Sequence, residues 1–184
     1  MTAVTVMSSA TIWTVDDLEH LPDDGQQYEL FDGILVVSAA PNIPHQRAAG
    51  ACYRLLHAHC PAELETFFAP LDFQPTRRTS LQPDVLVARR DGLGVKYLAV
   101  APMLAVEVLS AGTRAKDLMF KRELYQRHGV ESYWVIDPDR SVFTAYDLVE
   151  GTYRREVEVR GNDSATLYLP FTVTVCPADL VAGK

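Results

Sequence analysis

Apolar residues recur along this chain in two patterns, one typical of β-strands and the other of helices. Short segments in which apolar residues alternate with polar ones, or follow one another without a break, predict strands. The predicted strands are residues 28–30, 34–38, 65–68, 71–74, 85–87, 103–109, 132–137, 142–146, 153–159 and 166–175. Asp32 and Gly33, between the first two strands, are typical of a hairpin turn.

Three segments have the spacing or the end signals of helices. Residues 44–59 place apolar side chains three to four positions apart, which predicts a helix packed against a sheet. Residues 115–128 predict a second helix, with Thr113 as its N-terminal cap and Gly129 as its C-terminal cap. A short helix is predicted within residues 13–18.

These elements predict one domain over residues 11–184, preceded by a loose tail over residues 1–10, which have neither pattern. Strands and helices alternate in the middle of the chain, and hairpins flank them at both ends. This order predicts an α/β domain, a mixed β-sheet flanked by helices with β-hairpin extensions. A length of 184 residues is enough for a sizeable buried core.

The charge and the cysteines narrow the range of partners. A net charge of −7 argues against a broad, non-specific nucleic-acid-binding surface, which is usually basic. The basic residues at 77–78, 89–90, 116 and 121–122 could form a local groove or simply be solvated, and the sequence leaves both open. Three scattered cysteines are too few for a disulfide framework or a zinc site. With neither a signal-peptide pattern nor a membrane-length apolar run, we expect a cytoplasmic protein without a membrane partner.

One carboxylate interrupts an otherwise apolar strand. Because strand side chains alternate between faces, Glu107 shares a face with Ala105 and Leu109. Burying an acid alone is costly, so Glu107 has to be paired, protonated or bound to a metal ion. An ion pair with Arg114 or Arg122 and a bound metal ion both meet this requirement.

A second carboxylate and a lysine lie on neighbouring elements. Asp84 follows a proline and opens an apolar strand, so it is either a metal ligand or part of a turn. Lys121 shares a helix face with Leu124 or Tyr125, but it also lies four residues after Asp117, a spacing typical of surface ion pairs. Two carboxylates and a lysine are what a hard divalent cation beside a phosphodiester needs, since oxygen atoms hold the ion and a cation steadies the developing charge.

Five motifs occur in an order that is similar to one known family. They are Tyr-Glu-Leu-x-Asp-Gly at residues 28–33, His-Gln at 45–46, Pro-Asp at 83–84, Glu-Val-Leu-Ser at 107–110 and Gly-Val-x-x-Tyr-Trp-x-x-Asp at 129–137. Together they resemble the Uma-two family of the restriction-endonuclease-like, or PD-(D/E)XK, nuclease superfamily. The resemblance runs from about residue 13 to the C-terminus.

The resemblance implies a restriction-endonuclease-like fold, with Mg²⁺ (or Mn²⁺) as the cofactor and DNA as the partner. It implies that Asp84 and Glu107 bind the ion, joined by the backbone carbonyl of Val108. Glu29 would belong to the shell of the active site. Its position alone also fits an exposed residue on a half-buried strand.

The chain departs from the superfamily pattern at one important position. Two residues after Glu107, where the signature has a lysine, the chain has Leu109, which can neither polarise water nor stabilise an oxyanion. The resemblance therefore makes Lys121, on the following helix, the candidate replacement.

Three functions follow from these residues. The first is a divalent-metal-dependent DNA endonuclease, which we expect to form a homodimer because nucleases that cut both strands often pair. The second is a catalytically weak DNA-binding or protein-interaction module, which the acidic charge and Leu109 favour. The third, a carboxylate-pair hydrolase acting on sugars, explains the two acids but not Lys121.

Overall fold

The computed structural model describes residues 5–7, 12–110 and 116–182. Within these residues the strands are β1 (Thr5–Met7), β2 (Gln27–Phe31), β3 (Ile34–Ser38), β4 (Leu64–Phe68), β5 (Phe73–Thr76), β6 (Thr79–Leu81), β7 (Val85–Arg89), β8 (Leu104–Val108), β9 (Ser132–Asp137), β10 (Val142–Val149), β11 (Thr152–Arg160), β12 (Ala165–Leu167) and β13 (Val173–Val175). The helices are α1 (Val15–Leu18), α2 (Ile43–His59), α3 (Lys116–Arg127) and α4 (Pro177–Val181). No helix in this described part of the chain is long and apolar enough to cross a membrane.

Six strands form the main sheet, in the order β11-β10-β9-β8-β7-β4. β8 and β9 are parallel, whereas the other neighbouring pairs are antiparallel, so the predicted mixed sheet is confirmed. A parallel pair needs a crossover connection, and α3 lies in the connection from β8 to β9. β8 is thus an interior strand next to a crossover helix.

A second sheet has the order β1-β3-β2-β6-β5. β2 and β3 form the predicted hairpin, with Asp32 and Gly33 at positive φ in its turn. Two strands of this sheet differ from the sequence prediction. Thr5–Met7, predicted as part of the loose tail, pairs antiparallel with β3, and Thr79–Leu81, for which no strand is predicted, pairs with β2 and β5. In both cases the open edge of a neighbouring strand supplies backbone partners that no local pattern reveals.

The end of the chain also differs from its prediction. Residues 166–175, predicted as one strand, form the short antiparallel pair β12 and β13. The predicted helix at 115–128 is confirmed from Lys116 to Arg127, while its predicted cap Thr113 lies outside the described residues.

Apolar residues cover both faces of the main sheet. On one face, Leu104, Val106 and Val108 pack in a cluster with residues of α2 and α4. On the other face, Ala105 packs in a second cluster, which includes Leu124 of α3. Because successive strand residues alternate between faces, Glu107 points to the α3 side together with Ala105.

Candidate active site

Asp84 lies at the start of β7 and is held by the neighbouring strand. Its backbone N–H donates to the Val106 carbonyl at 3.0 Å, which extends the ladder between β7 and β8. The backbone N–H of Val108 donates to Asp84 Oδ2 at 2.7 Å. Asp84 and Glu107 therefore lie on neighbouring strands of one sheet, as predicted. Val108 contributes its N–H to this contact, and a role for its carbonyl stays a prediction.

Glu107 lies on β8 and is 7% exposed. Lys121 Nζ lies 3.1 Å from each of its carboxylate oxygens. The Tyr125 hydroxyl donates to Oε1 at 2.7 Å, from one helical turn further along α3. Of the two arginines considered as partners, Arg122 lies over the Tyr146 ring instead, and Arg114 lies outside the described residues.

Lys121 also binds a second carboxylate, Glu29 of β2. Its Nζ lies 2.9 Å from Glu29 Oε1, which accepts in addition from the backbone N–H of Gln82 at 2.8 Å. Glu29 is 2% exposed and Lys121 is 8% exposed, so neither is a surface residue. The alternative in which Glu29 is an exposed strand residue is wrong. Asp117, the other partner considered for Lys121, lies outside the residues whose side chains the structure describes.

His45 joins this group, although it is not among the site residues predicted from the sequence. Its Nε2 lies 3.2 Å from Asp84 Oδ2, and its ring is buried. The Asn42 side chain caps α2 by accepting from the His45 backbone N–H at 3.0 Å. A signal was present in the sequence, because His45 precedes Ala48 and Ala49 by three and four residues and so shares their sheet-facing side.

Burial and the charge of Lys121 shift the pKa values of Glu107 and Glu29 in opposite directions. Burial raises the pKa of Glu107 to about 8, although the charge of Lys121 opposes that shift. Burial likewise raises the pKa of Glu29. Burial alone would lower the pKa of Lys121, but the charges of Glu107, Glu29 and Asp84 outweigh it and raise that pKa. Lys121 is therefore a permanent cation beside two carboxylates whose ionised forms are disfavoured by burial.

Tyr125 is the neutral member of the cluster. Burial, and then the charge of Glu107, raises the pKa of Tyr125 well above its usual value. Its hydroxyl thus remains a hydrogen-bond donor to Glu107 and supplies no charge of its own.

The charges in the cluster leave room for a divalent cation. Asp84, Glu107 and Glu29 carry three negative charges when ionised, and Lys121 returns one positive charge. The described residues leave Asp84 Oδ1 without a hydrogen-bond partner, since His45 and the Val108 N–H both meet Oδ2. Hard cations such as Mg²⁺ bind oxygen atoms through one or two carboxylates and keep several waters.

These oxygen donors suit an ion that keeps several waters better than an ion whose ligands all come from the protein. Among the side chains that the structure describes, no three His, Cys, Asp or Glu residues are arranged to hold one ion together. Asp84 and Glu107 offer carboxylate oxygens to such an ion, and their binding of Mg²⁺ or Mn²⁺ stays a prediction.

The cluster lies in a cleft of about 780 Å³. The cleft is lined by α2, by the β2–β3 hairpin and by the segment that follows β4. The four predicted site residues Asp84, Glu107, Lys121 and Glu29 all line it, together with His45.

Two of the basic residues considered as a groove, Arg77 and Arg90, are engaged elsewhere. Arg77 pairs with Asp16, and Arg90 pairs with Glu65 at 2.5 Å. Neither arginine is among the residues that line the cleft. The cleft therefore does not gain a basic rim from them.

Comparisons with known proteins agree on the fold. The model of the Uma2 family, described as "Putative restriction endonuclease", matches residues 15–178. The structure is similar to a crystal structure from Anabaena variabilis described as "a putative nuclease belonging to DUF820", with a TM-score of 0.73 and 21% sequence identity. That similarity covers 91% of this chain and 97% of the other. No curated protein matches the chain. The predicted nuclease-like mixed α/β fold is confirmed.

Proposed function

The chain belongs to the Uma2 family, and on that premise we propose that it is a divalent-metal-dependent DNA endonuclease that hydrolyses phosphodiester bonds. The observation that supports this most is the convergence of Asp84, Glu107, Glu29 and Lys121 in one cleft. These residues come from four separate elements, and burial of their charges is costly unless they serve one another or a ligand. Buried acids whose pKa is raised, as it is for Glu107 and Glu29, are typical of active sites when they cluster in a cleft.

Each residue has a distinct task in this proposal. Asp84 and Glu107 hold the ion, with the Val108 carbonyl as a third oxygen. A bound Mg²⁺ or Mn²⁺ would supply a water of lowered pKa and a polarised phosphate oxygen. Lys121 presents an ammonium to the charge that develops on the phosphate, as preorganised cations do in phosphoryl transfer. Glu29 orients that ammonium through the 2.9 Å contact between its Oε1 and Lys121 Nζ.

Circular plasmid tests this function directly. We expect the purified protein to nick or linearise plasmid with Mg²⁺ or Mn²⁺ and to leave it intact with EDTA. The Glu107→Gln variant keeps the side-chain shape and loses the charge, so its cleavage should fall to background. A matched control is Glu123→Gln on α3, where the carboxylate is exposed and pairs with Arg127 at 3.0 Å. Full cleavage by Glu107→Gln, or cleavage in EDTA, would refute the proposal.

A second candidate is a catalytically weak DNA-binding or protein-interaction module that retains this fold. Lys121 already contacts both oxygens of Glu107, so the ammonium occupies one side of a proposed metal ligand. Leu109 stands where the superfamily signature has its lysine. Metal titration by calorimetry separates the two candidates, because a folded protein that binds no Mg²⁺ or Mn²⁺ favours the module.

Two further expectations concern the whole protein. We propose that it forms a homodimer, because nucleases that cut both strands often pair, and that it acts in the cytoplasm, where its free cysteines stay reduced. Sedimentation equilibrium tests the dimer, which a monomer at micromolar concentration would exclude. Cell fractionation tests the location.

A further inference from the structure

Two aromatic side chains form part of the cleft wall. Phe68, the last residue of β4, and Tyr53 of α2 meet edge to face, with ring centroids 5.0 Å apart and an interplanar angle of 80°. Phe68 is 60% exposed, a large value for a phenylalanine beside a polar cleft. Tyr53 also stacks on His57, with centroids 5.5 Å apart, which orients the Tyr53 ring.

This aromatic pair lies next to the proposed metal ligand Asp84. In the antiparallel pair of β4 and β7, Phe68 is opposite Val85, the residue that follows Asp84. The N–H of Ala69, just after Phe68, donates to the Asp84 carbonyl at 3.1 Å. Phe68 and Asp84 also line the same cleft, so a DNA strand held at Asp84 would pass close to Phe68.

The helix beside the pair leaves space for a flat group. Gly50 of α2 lines the cleft, and a Cβ built there would meet only Arg54 Nη1, at 3.6 Å, within 4 Å. The cleft is thus open in front of this turn of α2, with Tyr53 at one side and Arg54 at its rim.

The charges in the cleft disfavour an intact duplex. Its described lining includes the acids Asp23, Glu29, Asp84 and Glu107, but only Arg54 and Lys121 as permanent cations. Lys121 is already engaged by two glutamates. Duplex DNA carries a dense row of phosphates and is usually bound through basic surfaces. Within the described lining, DNA would rely mainly on uncharged contacts, and aromatic stacking on an unpaired base is one that Phe68 offers.

We propose that Phe68, supported by Tyr53, is a stacking subsite for an unpaired DNA base, so that the site takes single-stranded DNA or a locally unpaired stretch within a duplex such as a plasmid. This inference rests on the proposed function, because it assigns the substrate class of the same site. Stacking needs a free base face, which a paired and stacked duplex does not present, whereas every unpaired base offers one.

To test the proposed stacking subsite, DNA binding and DNA cleavage are measured separately. Fluorescence anisotropy in EDTA compares a labelled single strand of about 12 nucleotides with its duplex, a length within the usual range for single-strand sites. Phe68→Ala should weaken single-strand binding about 5- to 150-fold, as expected for the loss of one stacked base. Phe68→Trp should retain it. Tyr168→Ala is the matched control, because that ring is 73% exposed and does not line the cleft.

The outcomes separate this inference from the proposed function. Tighter binding of the single strand, lost in Phe68→Ala and kept in Phe68→Trp, supports the subsite. Equal affinity of wild type and Phe68→Ala, or tighter binding of the duplex, overturns it even if the protein cuts plasmid. If Phe68-dependent binding is present but no DNA is cut with Mg²⁺ or Mn²⁺, the nuclease function fails and the binding subsite stands. Thermal melting of each variant confirms that the fold is intact.

Discussion

Replacing Lys121 by Met tests whether the lysine is the counter-charge of the buried carboxylates. Its Nζ lies 3.1 Å from each oxygen of Glu107 and 2.9 Å from Glu29 Oε1, so one substitution removes three contacts. Met preserves most of the side-chain volume and removes the charge. What remains is two buried glutamates with no cation between them.

The expected cost is large because both glutamates are almost fully buried. Removing one partner of a buried ion pair typically costs about 3–5 kcal/mol, against a total stability of about 5–15 kcal/mol for a domain. We therefore expect the unfolding free energy of Lys121→Met to fall by about 3–5 kcal/mol at pH 8 in EDTA. Adding Glu107→Gln to Lys121→Met should recover part of that loss, because the double variant buries one charge fewer.

Urea unfolding followed by tryptophan fluorescence measures these differences. The matched control is Arg127→Met on the same helix, where the guanidinium is about half exposed and pairs with Asp32 and Glu123. Exposed pairs contribute about 0–1 kcal/mol, so this variant should stay close to wild type. If Lys121→Met is as stable as Arg127→Met at pH 8, the lysine does not compensate the buried carboxylates.

Three other predictions concern stability. Burial raises the pKa of Glu107 to about 8, so its stabilising proton is present at low pH and is lost as the pH rises. The unfolding free energy in EDTA should therefore fall between about pH 5 and pH 8, and fall less in Glu107→Gln; equal pH profiles would contradict this. Tyr125→Phe removes the 2.7 Å hydrogen bond to Glu107 and should cost about 1–3 kcal/mol by urea unfolding, whereas no loss would mean that the hydroxyl is dispensable. Gly33→Ala should lower the melting temperature because φ is +91° and the new Cβ would lie 2.7 Å from Ile12 Cγ2, while Gly151→Ala, with φ of +76° and open space, should cost less.

Local patterns were sufficient for the elements that bury a regular stripe. The alternation around Glu107 correctly places its side chain with Ala105 on the α3 face, and the helical spacing of Lys121 and Tyr125 correctly directs both toward the sheet. These inferences succeed because the period of the element alone decides which way a side chain points.

Contacts between distant segments were beyond sequence reasoning. The pairing of His45 with Asp84 joins the start of α2 to the start of β7, and no local pattern specifies that approach. Strand β1 pairs with β3 through backbone groups, which every sequence offers equally. The catalytic roles of the four site residues remain predictions, because the structure shows only that they lie close together and catalysis has to be measured in an assay. The four residues are Asp84, Glu107, Lys121 and Glu29.

The position of Lys121 on a crossover helix has an evolutionary consequence. A lysine on β8 would be positioned by the hydrogen bonds of the sheet. Lys121 is positioned instead by α3, which packs on the sheet through Leu124 and Tyr125 of the second apolar cluster. Apolar residues of this cluster that do not line the cleft, such as Val130, therefore help to set the position of the ammonium. Laboratory evolution toward altered turnover should accordingly enrich substitutions under α3 as well as in the cleft, and sequencing the selected variants would reveal that distribution.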